Sequence, residues 1–367
     1  MTKVRRREQL VCRWLSDGLE LGLPGRRQWA KLSPDLLRVV DRAGAGIEMD
    51  ELVTAFGKEH ESKIRDAVTA LMRLGILVSL DEGADDTPAL WERWGVMARR
   101  FHVEARDADY LADSPERADV AEEIVAEGGA PEAFKEYPDR PFVPLPRRML
   151  PLNTPVDEVF ANRRTHRRFT AAPVTLDQLS TLLFHSFAPH RFIDGGAFGT
   201  QQCRVSASAG GRHEVEAYVV AYNVTGLPPG LYHYSAARHV LELLGTDAAR
   251  ERVADLTYHQ EASYNGAFTV FTTAVANRLA WKYRHPRAYR LWMYDAGHYG
   301  QTFALAAIAL GLGPFQTVAF VDSGVEDFLG LDPDEEFAVY LLAAGVPDGG
   351  SHLVPSDFAY PSLSVTS

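Results

Sequence analysis

Hydrophobic positions follow a helical period in the stretch that begins at residue 33. SPDLLRVVDRAG has the spacing of a capped helix that ends at Gly44, and MDELVTAFG and ESKIRDAVTALMRLG repeat this pattern, each closed by a glycine. ILVSLDEG then predicts a short strand and a turn. Three helices followed by a β-wing predict a winged-helix-like domain, which we assign to residues 1–100.

A long amphipathic stretch, ALWERWGVMARRFHVEARDADYLAD, predicts a further helix. Six prolines lie between residues 138 and 155, a density typical of an extended connection. We therefore assign residues 101–155 to a helical segment and a proline-rich linker. The domain boundary is expected within them.

From residue 156 onwards the pattern predicts alternating helices and strands. VDEVFANRRTHRRF begins as a helix, and LDQLSTLLFHSF, AARERVADLT and GVEDFLG have helical spacing. Strands are predicted for EVEAYVVAYNV, FTVFTTAVA, QTVAFV and EFAVYLLAAG, and a hairpin for GLYHY with HVLELLG. AYRLWMYDAGHYGQTFALAAIALGLG is apolar nearly all round, which predicts a central helix. Residues 156–367 are expected to form an α/β (α+β) domain.

Composition narrows the class of protein. The chain has 367 residues, 46% of them hydrophobic, close to the globular average and enough for a sizeable core. Its longest apolar runs are too short for a membrane span, and the N-terminal stretch has no signal-peptide core. Cys12 and Cys203 cannot form a disulfide framework or a four-thiolate zinc site, and the histidines have no ligand spacing. We therefore expect a cytoplasmic protein without a bound metal.

The charge balance bears on possible partners. A net charge of -11 argues against a general polyanion binder. Residues 35–86 carry six basic and twelve acidic side chains, the opposite of what a DNA-binding winged helix needs. A scaffold or peptide-docking role fits this domain better than DNA binding. A domain that only packs against the rest of the chain remains an alternative.

Arginine supplies most of the positive charge. The chain has 32 Arg and six Lys, and none of either follows Arg290, so a basic anion site must lie earlier or be built from backbone amides. The densest cluster is Arg163-Arg164-Thr165-His166-Arg167-Arg168-Phe169. Guanidinium groups bind phosphate bidentately and the hydroxyl adds a donor. A solvated basic helix end is the alternative.

Two further motifs suggest chemistry. Ser206-Ala207-Ser208-Ala209-Gly210-Gly211 precedes a strand, and its small residues let the backbone approach a flat ligand. A nucleophile elbow around Ser208 is disfavoured because polar residues precede it and a strand follows it. Lys282 stands beside Tyr283, and a desolvated lysine can act as a base. A plain loop and a surface lysine are the alternatives.

No G-x-G-x-x-G follows a strand, and there is no G-x-x-x-x-G-K-[ST] or H-E-x-x-H. The motifs above, in their order, resemble the nitroreductase-like flavoprotein superfamily, and in particular its SagB-type branch of peptide-maturation dehydrogenases. R-[RH]-S-x-[RK]-x-F matches residues 163–169, with Thr165 for Ser. P-S-G-G-x-x-H-P-x-E-x-Y matches residues 207–218, with Ala207 and Glu214 for the prolines and Ala209 for a glycine. V-x-G-L-x-x-G-L-Y-H-Y is intact at residues 224–234, and K-Y…R-A-Y-R…G-H at residues 282–298.

The resemblance, which covers about residues 156–347, implies a nitroreductase-like fold with a mixed or antiparallel sheet flanked by helices. It implies FMN at the interface of a homodimer. The implied cofactor-binding residues are Arg163, Arg164, Thr165, Arg167, Ser208, Ala209, Gly210, Val318 and Ala319. The implied catalytic residues are Lys282 and Tyr283. Relatives often hold the phosphate with a late basic residue; here Arg164 and Arg168 compensate, or phosphate is held more weakly.

The activity implied by the resemblance is oxidation of an azoline to an azole in a modified precursor peptide, with oxygen reoxidising the flavin. The N-terminal domain would dock the peptide leader or a partner cyclodehydratase. One alternative is a nitro or quinone reductase that uses NAD(P)H. Another is a flavin-free scaffold in a peptide synthetase complex. Nucleic acid and membrane are not expected as partners.

Overall fold

The computed structural model describes residues 3–23, 29–81, 89–108, 110, 116–246 and 249–349. The chain divides into two compact units. The N-terminal unit is Met1–Tyr110 with His285–Arg287, and the C-terminal unit is Leu111–Arg284 with Ala288–Ser367. Within the described ranges no helix has the length and apolar character needed to cross a membrane. The last part of the region predicted as residues 156–367, from residue 350 onwards, lies outside the described residues.

The described strands and helices of the N-terminal unit form two small antiparallel sheets and a helical layer. The strands are β1 (Lys3–Arg6), β2 (Val11–Leu15), β3 (Gly18–Gly22), β4 (Trp29–Leu32), β5 (Ile47–Glu48) and β6 (Leu77–Ser79). The helices are α1 (Pro34–Ala43), α2 (Met49–Phe56), α3 (Glu61–Arg73) and α4 (Ala89–Glu104). One sheet has the order β5-β1-β6 and the other β2-β3-β4.

The three predicted helices are present as α1, α2 and α3, and the predicted strand as β6. The Ser33 side chain accepts from the N–H of Leu36, and Gly44 follows the last residue of α1. The partner of β6 is β1, at the start of the unit, which the sequence pattern does not predict. The hairpin of β2 and β3 was also missed, although the Asp17-Gly18 pair is a hairpin signal. The predicted long helix is present as α4, interrupted at Gly95, where φ is 83°.

The C-terminal unit contains the larger sheet and the helices that cover it. Its described strands are β7 (Phe142–Pro144), β8 (Val174–Thr175), β9 (Arg191–Asp194), β10 (Thr200–Cys203), β11 (Val215–Ala221), β12 (Val224–Thr225), β13 (Gly230–Ser235), β14 (Val240–Gly245), β15 (Phe268–Val275), β16 (Gly313–Thr317) and β17 (Glu336–Gly345). Its described helices are α5 (Glu116–Glu127), α6 (Val156–Asn162), α7 (Leu176–Phe187), α8 (Arg250–Leu256), α9 (Glu261–Tyr264), α10 (Ala276–Ala280), α11 (Leu291–Ala309) and α12 (Asp322–Leu329).

Seven strands form one antiparallel sheet in the order β16-β17-β15-β11-β13-β14-β7. Side chains alternate along β11, so that Ala217 and Val219 belong to the core that includes α7 and α11. Tyr218 and Val220 belong to the second core, on the opposite face, with α8 and α12. The helix-flanked sheet predicted from the sequence is confirmed.

The predicted central helix is α11, which is buried on one side only. Tyr299, Phe303 and Ala307 pack into the core against the sheet. Met293 and Tyr294, on the other side, are 45% and 54% exposed. The apolar pattern all round α11 therefore covers two surfaces: one packs against the sheet, and the other is left exposed within a single chain.

The strand predicted for QTVAFV ends earlier than expected. β16 begins at Gly313, and Val318 and Ala319 lie beyond its last residue. The Thr317 hydroxyl accepts from the N–H of Ala319 at 3.0 Å, and the Gln260 side chain donates to the Ala319 carbonyl at 2.8 Å. These two hydrogen bonds, one local and one from Gln260, take the place of the sheet ladder beyond Thr317.

The proline-rich segment is extended and lies along the sheet. β7 pairs with β14, with Val143 opposite Leu241, so prolines are tolerated at this edge position. Before β7, the N–H of Tyr137 donates to the buried Glu242 carboxylate at 2.9 Å. Lys135 forms an ion pair with Glu336 at 2.5 Å. The middle of the expected linker is therefore an edge strand of the C-terminal unit.

Candidate active site

The arginine loop (residues 163–169) follows α6 and lies against the start of β16. The N–H of His166 donates to the Pro314 carbonyl at 2.8 Å, and Phe169 forms a β-bridge with Pro347. Thr165 and the four arginines of the loop are exposed. Among the described residues, no ion-pair partner faces any of these four guanidinium groups. They are therefore available to an anion.

Val318 and Ala319 lie at the other end of β16 from the arginine loop. Val318 is 70% exposed, and Ala319 is exposed as well. A strand rises about 3.3 Å per residue, so Thr317, the last residue of β16, lies about 10 Å from Pro314, and Val318 follows it. One chain therefore has the arginine loop at one end of an edge strand and these two residues just beyond its other end.

The glycine loop (residues 206–211) connects β10 to β11. Gly210 has φ 59°, a conformation that favours glycine. The N–H of Ala209 donates to Asp295 at 2.8 Å, and the Ser208 hydroxyl accepts from the N–H of His213 at 2.8 Å. The backbone of the loop is thus fixed from both sides.

The Lys282–Tyr283 pair contacts the glycine loop. Lys282 Nζ donates to the Gly210 carbonyl at 3.3 Å and lies 4.4 Å from the centre of the Phe198 ring. A Cβ added to Gly210 would lie 2.8 Å from Lys282 Nζ and closer still to the Tyr283 hydroxyl. Two motifs that are far apart in sequence therefore form one cluster. Phe198 was missed because no local pattern distinguishes it.

A pair of buried carboxyl groups also contacts the glycine loop. Glu214 is 0% exposed and Asp295 is 3% exposed. Burial and the nearby charge of Asp295 raise the pKa of Glu214 to about 8. The pair was missed because the two residues are distant in sequence. The only signal was Glu214 in a position where the matched pattern has proline.

His213, from the same motif, is a buried structural residue. Its Nδ1 lies 2.8 Å from the Tyr299 hydroxyl and its Nε2 lies 3.0 Å from the Gln202 carbonyl. Burial and the charge of Arg204 lower the pKa of His213 to about 3. The ring is therefore neutral at pH 7 and acts as a hydrogen-bonded spacer between the loop and α11.

Other motif residues form a buried network on the far face of the sheet. Glu216 accepts from Arg278 at 2.5 Å and lies 3.4 Å from His233. Burial alone would raise the pKa of Glu216, but Arg278 and His233 outweigh it and lower the pKa to about 2. The Tyr218 hydroxyl donates to Glu336 at 2.9 Å. These motif residues stabilise the sheet and do not reach the glycine loop surface.

In one chain the two clusters lie at opposite ends of α11. The glycine loop contacts Asp295, near the start of the helix, and the arginine loop contacts Pro314, just after its end. A helix rises 1.5 Å per residue, so Asp295 and Ala309 are about 21 Å apart along the axis. The arginine loop and the Lys282–Tyr283 pair are therefore well separated within a chain.

The nitroreductase family model matches residues 160–346. This range contains the arginine loop, the glycine loop, the Lys282–Tyr283 pair and β16, and it is more than half of the chain. The chain belongs to the nitroreductase family, and the family and fold predicted from the sequence are confirmed.

Individual relatives cover different parts of the chain. The trifolitoxin-processing protein TfxB of Rhizobium leguminosarum bv. trifolii is 31% identical over 170 residues, which are 45% of this chain and 46% of TfxB. The trifolitoxin operon protein TfxC of the same bacterium is 24% identical over 350 residues, which are 85% of this chain and 94% of TfxC. A crystal structure of an Anabaena variabilis protein described as a nitroreductase superposes with a TM-score of 0.54 at 23% identity, covering 69% of this chain and 47% of that one. The chain thus spans less than half of TfxB and of the Anabaena protein.

Proposed function

We propose that the protein is an FMN-dependent dehydrogenase that oxidises an azoline ring of a modified peptide to an azole, and that it acts as a homodimer. The observation that carries the proposal is the contact of Lys282 and Tyr283 with the Gly210 backbone. Two groups able to transfer protons thus stand on the loop that, by resemblance, lines a flavin ring.

The residues present fit FMN. Exposed guanidinium groups without ion-pair partners among the described residues suit a phosphate. The bare backbone at Gly210 suits the close approach of a flat ring. The phosphate and pyrimidine side would be held by Arg163, Arg164, Thr165 and Arg167. The ring would be lined by Ser208, Ala209, Gly210, Val318 and Ala319.

Bound FMN supplies a hydride acceptor for the oxidation. The contribution of this chain is the transfer of the proton. An azoline loses a proton from one ring carbon and a hydride from its neighbour, and the amine of Lys282 or the hydroxyl of Tyr283 takes the proton. The Gly210 carbonyl and the Phe198 ring hold Lys282 Nζ in place, so the proton acceptor is positioned before substrate arrives.

The separation of the two clusters supports a homodimer. Within one chain the two loops contact opposite ends of α11, where Asp295 and Ala309 are about 21 Å apart along the helix axis. In a two-fold dimer, the arginine loop and β16 of one chain can meet the glycine loop and the Lys282–Tyr283 pair of the other. Each complete site then requires both chains.

An exposed apolar groove between α6 and α11 offers the surface for that contact. Val156 and Phe160 of α6 are 65% and 59% exposed, and Val205 is 55% exposed. With Leu305 of α11 they line a groove of about 270 Å³. Contiguous exposed apolar surface of this kind is typical of protein–protein contacts.

A peptide substrate is supported by the relatives. TfxB is named for trifolitoxin processing, and TfxC for the trifolitoxin operon. The TfxC match covers 85% of this chain, so it includes part of the N-terminal unit. A reductase of free small molecules needs no such unit. We propose that the N-terminal unit docks the peptide leader or a partner cyclodehydratase.

The test combines the absorbance spectrum of the purified protein with anaerobic reduction. We expect flavin bands corresponding to about one FMN per chain, and bleaching when an azoline-containing peptide is added. A protein that stays colourless with added FMN would overturn the flavin proposal. Bleaching by NADPH with turnover of a nitroaromatic, and none by the peptide, would make the protein a small-molecule reductase.

A further inference from the structure

Glu214 is an ionisable residue at a position where the pattern of its branch has proline. Its side chain is fully buried between the glycine loop and the start of β11. One carboxyl oxygen accepts from the Ser208 hydroxyl at 3.4 Å. The other, Oε1, is buried without a hydrogen-bond donor among the described residues. If Glu214 were ionised, the negative charge on Oε1 would have no hydrogen-bond donor to stabilise it.

Asp295 of α11 is the second buried carboxyl group beside the glycine loop. Asp295 accepts from the N–H of Ala209 at 2.8 Å, and it lies close enough to Glu214 for its charge to act on that carboxyl group. Two carboxyl groups can bond to each other only if one of them carries a proton. The neutral partner is Glu214, because burial and the charge of Asp295 raise its pKa to about 8.

We infer that Glu214 and Asp295 share one proton and thereby clamp Ser208 and Ala209 of the glycine loop, and that loss of this proton releases the loop. With the proton, the pair binds both loop residues. Without it, two adjacent buried carboxylates repel each other, which forces apart the two side chains that hold Ser208 and Ala209. Glu214 is thus a positioning residue for the proposed flavin site, and only its link to flavin rests on the proposed function.

Among the surrounding cations, Arg212 acts on Glu214 through its charge, but burial and Asp295 outweigh it and keep the pKa of Glu214 raised. Arg212 donates to the Arg278 carbonyl and lies 4.7 Å from the centre of the Trp281 ring. His298 lies 3.9 Å from Asp295 but bonds to the Ala207 carbonyl at 3.1 Å. Arg212, His298 and Tyr299 interact directly with Glu214 or Asp295. The other titratable and charged groups on the elements around the pair are Arg204, His213, Arg278, Lys282 and Tyr283.

The first test needs no flavin. In the folded protein Glu214 keeps its proton up to about pH 8, whereas in the unfolded chain it loses it near its ordinary value of 4.5. Between these limits unfolding releases a proton, so stability falls as pH rises. Glu214→Gln removes this titration while keeping a donor for Asp295. The Tm of Glu214→Gln relative to wild type should therefore increase from pH 5.5 to pH 8 and then level off. Glu335→Gln, the same change at an exposed position, should stay parallel to wild type.

The second test measures FMN affinity between pH 6.5 and 9. If only the protonated pair holds the loop, affinity of the wild type should fall about tenfold one pH unit above the pKa. Glu214→Gln and Asp295→Asn should keep their affinity, because an amide in either position removes the repulsion and still bonds to its neighbour. Any titration of FMN itself affects wild type, Glu214→Gln and Asp295→Asn equally, so the difference between wild type and these two variants isolates the carboxyl pair.

The two tests fail in different ways. Parallel Tm curves for wild type and Glu214→Gln would overturn the shared proton, whatever the protein binds. If the Tm curves diverge but no variant binds FMN, the proposed function is wrong and the carboxyl pair stands. If the Tm curves diverge and all variants lose FMN equally at high pH, the pair does not position the loop. Should Glu214→Gln fail to fold, Asp295→Asn in the affinity test decides the same point.

Discussion

Replacing Gly210 with alanine tests the contact on which the proposed chemistry depends. The added Cβ would lie 2.8 Å from Lys282 Nζ and closer still to the Tyr283 hydroxyl. Non-bonded atoms need about 3.5 Å, so Nζ must retreat by about 0.7 Å and the hydroxyl by more. Both atoms are ends of flexible side chains, so the fold can absorb the movement. The same movement, however, takes the proton acceptor away from the place where it would meet the substrate.

The size of the backbone effect can be measured separately. A non-glycine residue with positive φ costs about 1–2 kcal/mol, which lowers the Tm of a unit of this size by roughly 2–8 °C. Gly330 is the matched control, because it has φ 70° and open space where its Cβ would be. Gly330→Ala therefore has a comparable backbone strain but leaves Lys282 and Tyr283 in place.

We expect the two variants to show similar Tm values and, with both compared at saturating FMN because the added Cβ also crowds the ring-lining backbone, only Gly210→Ala to lose rate. A misplacement near 1 Å costs about 10²-fold in a positioned reaction. The assay is anaerobic stopped-flow reduction of the flavin by the azoline peptide. A Gly210→Ala rate equal to that of Gly330→Ala would refute the reasoning, because the displaced groups would then take no part in the chemistry.

Three other changes test separate parts of the account. Lys282→Ala and Lys282→Arg should keep FMN and Tm but slow flavin reduction by about 10²–10⁴, since guanidinium keeps its proton; a wild-type rate for Lys282→Arg would exclude lysine as the base. Arg163→Ala should weaken FMN binding by about 1.5–3 kcal/mol, the value of one charge-assisted contact, whereas Arg191→Ala, an exposed arginine on β9, should not; equal affinities would move the phosphate site elsewhere. Deletion of residues 1–110 should spare FMN binding and slow the processing of full-length peptide, but it should not change the rate with a leaderless peptide. If the truncated protein is slowed equally on both peptides, or on neither, the docking role is contradicted.

The elements of the fold could be predicted where their determinants are local. α7 has a capping box, in which Thr175 and Gln178 satisfy each other's backbone groups. α12 ends at Gly330 in the left-handed conformation. The strands of the large sheet have the apolar, β-branched composition that burial on both faces requires. These signals lie within one element, so a single sequence contains them.

Contacts between distant positions could not be predicted in the same way. Nothing local indicates that Phe198 lies beneath Lys282, or that Glu214 and Asp295 share a proton. β1 was missed because its partners, β5 and β6, follow it only after intervening helices. Glu216 and His233 are ionisable side chains of the kind found in active sites, and only their burial in the folded protein shows that they are structural.

The central claim is that each site is shared between two chains, and mixed dimers test it most directly. An Arg163→Ala/Arg167→Ala variant and a Lys282→Ala variant should each be inactive alone. In randomly mixed dimers half are heterodimers, each with one site that has both native halves, so activity should return to about one quarter of wild type. If each site lay within one chain, every site in the mixture would carry a substitution. Activity that stays at the level of the separate variants would contradict the account.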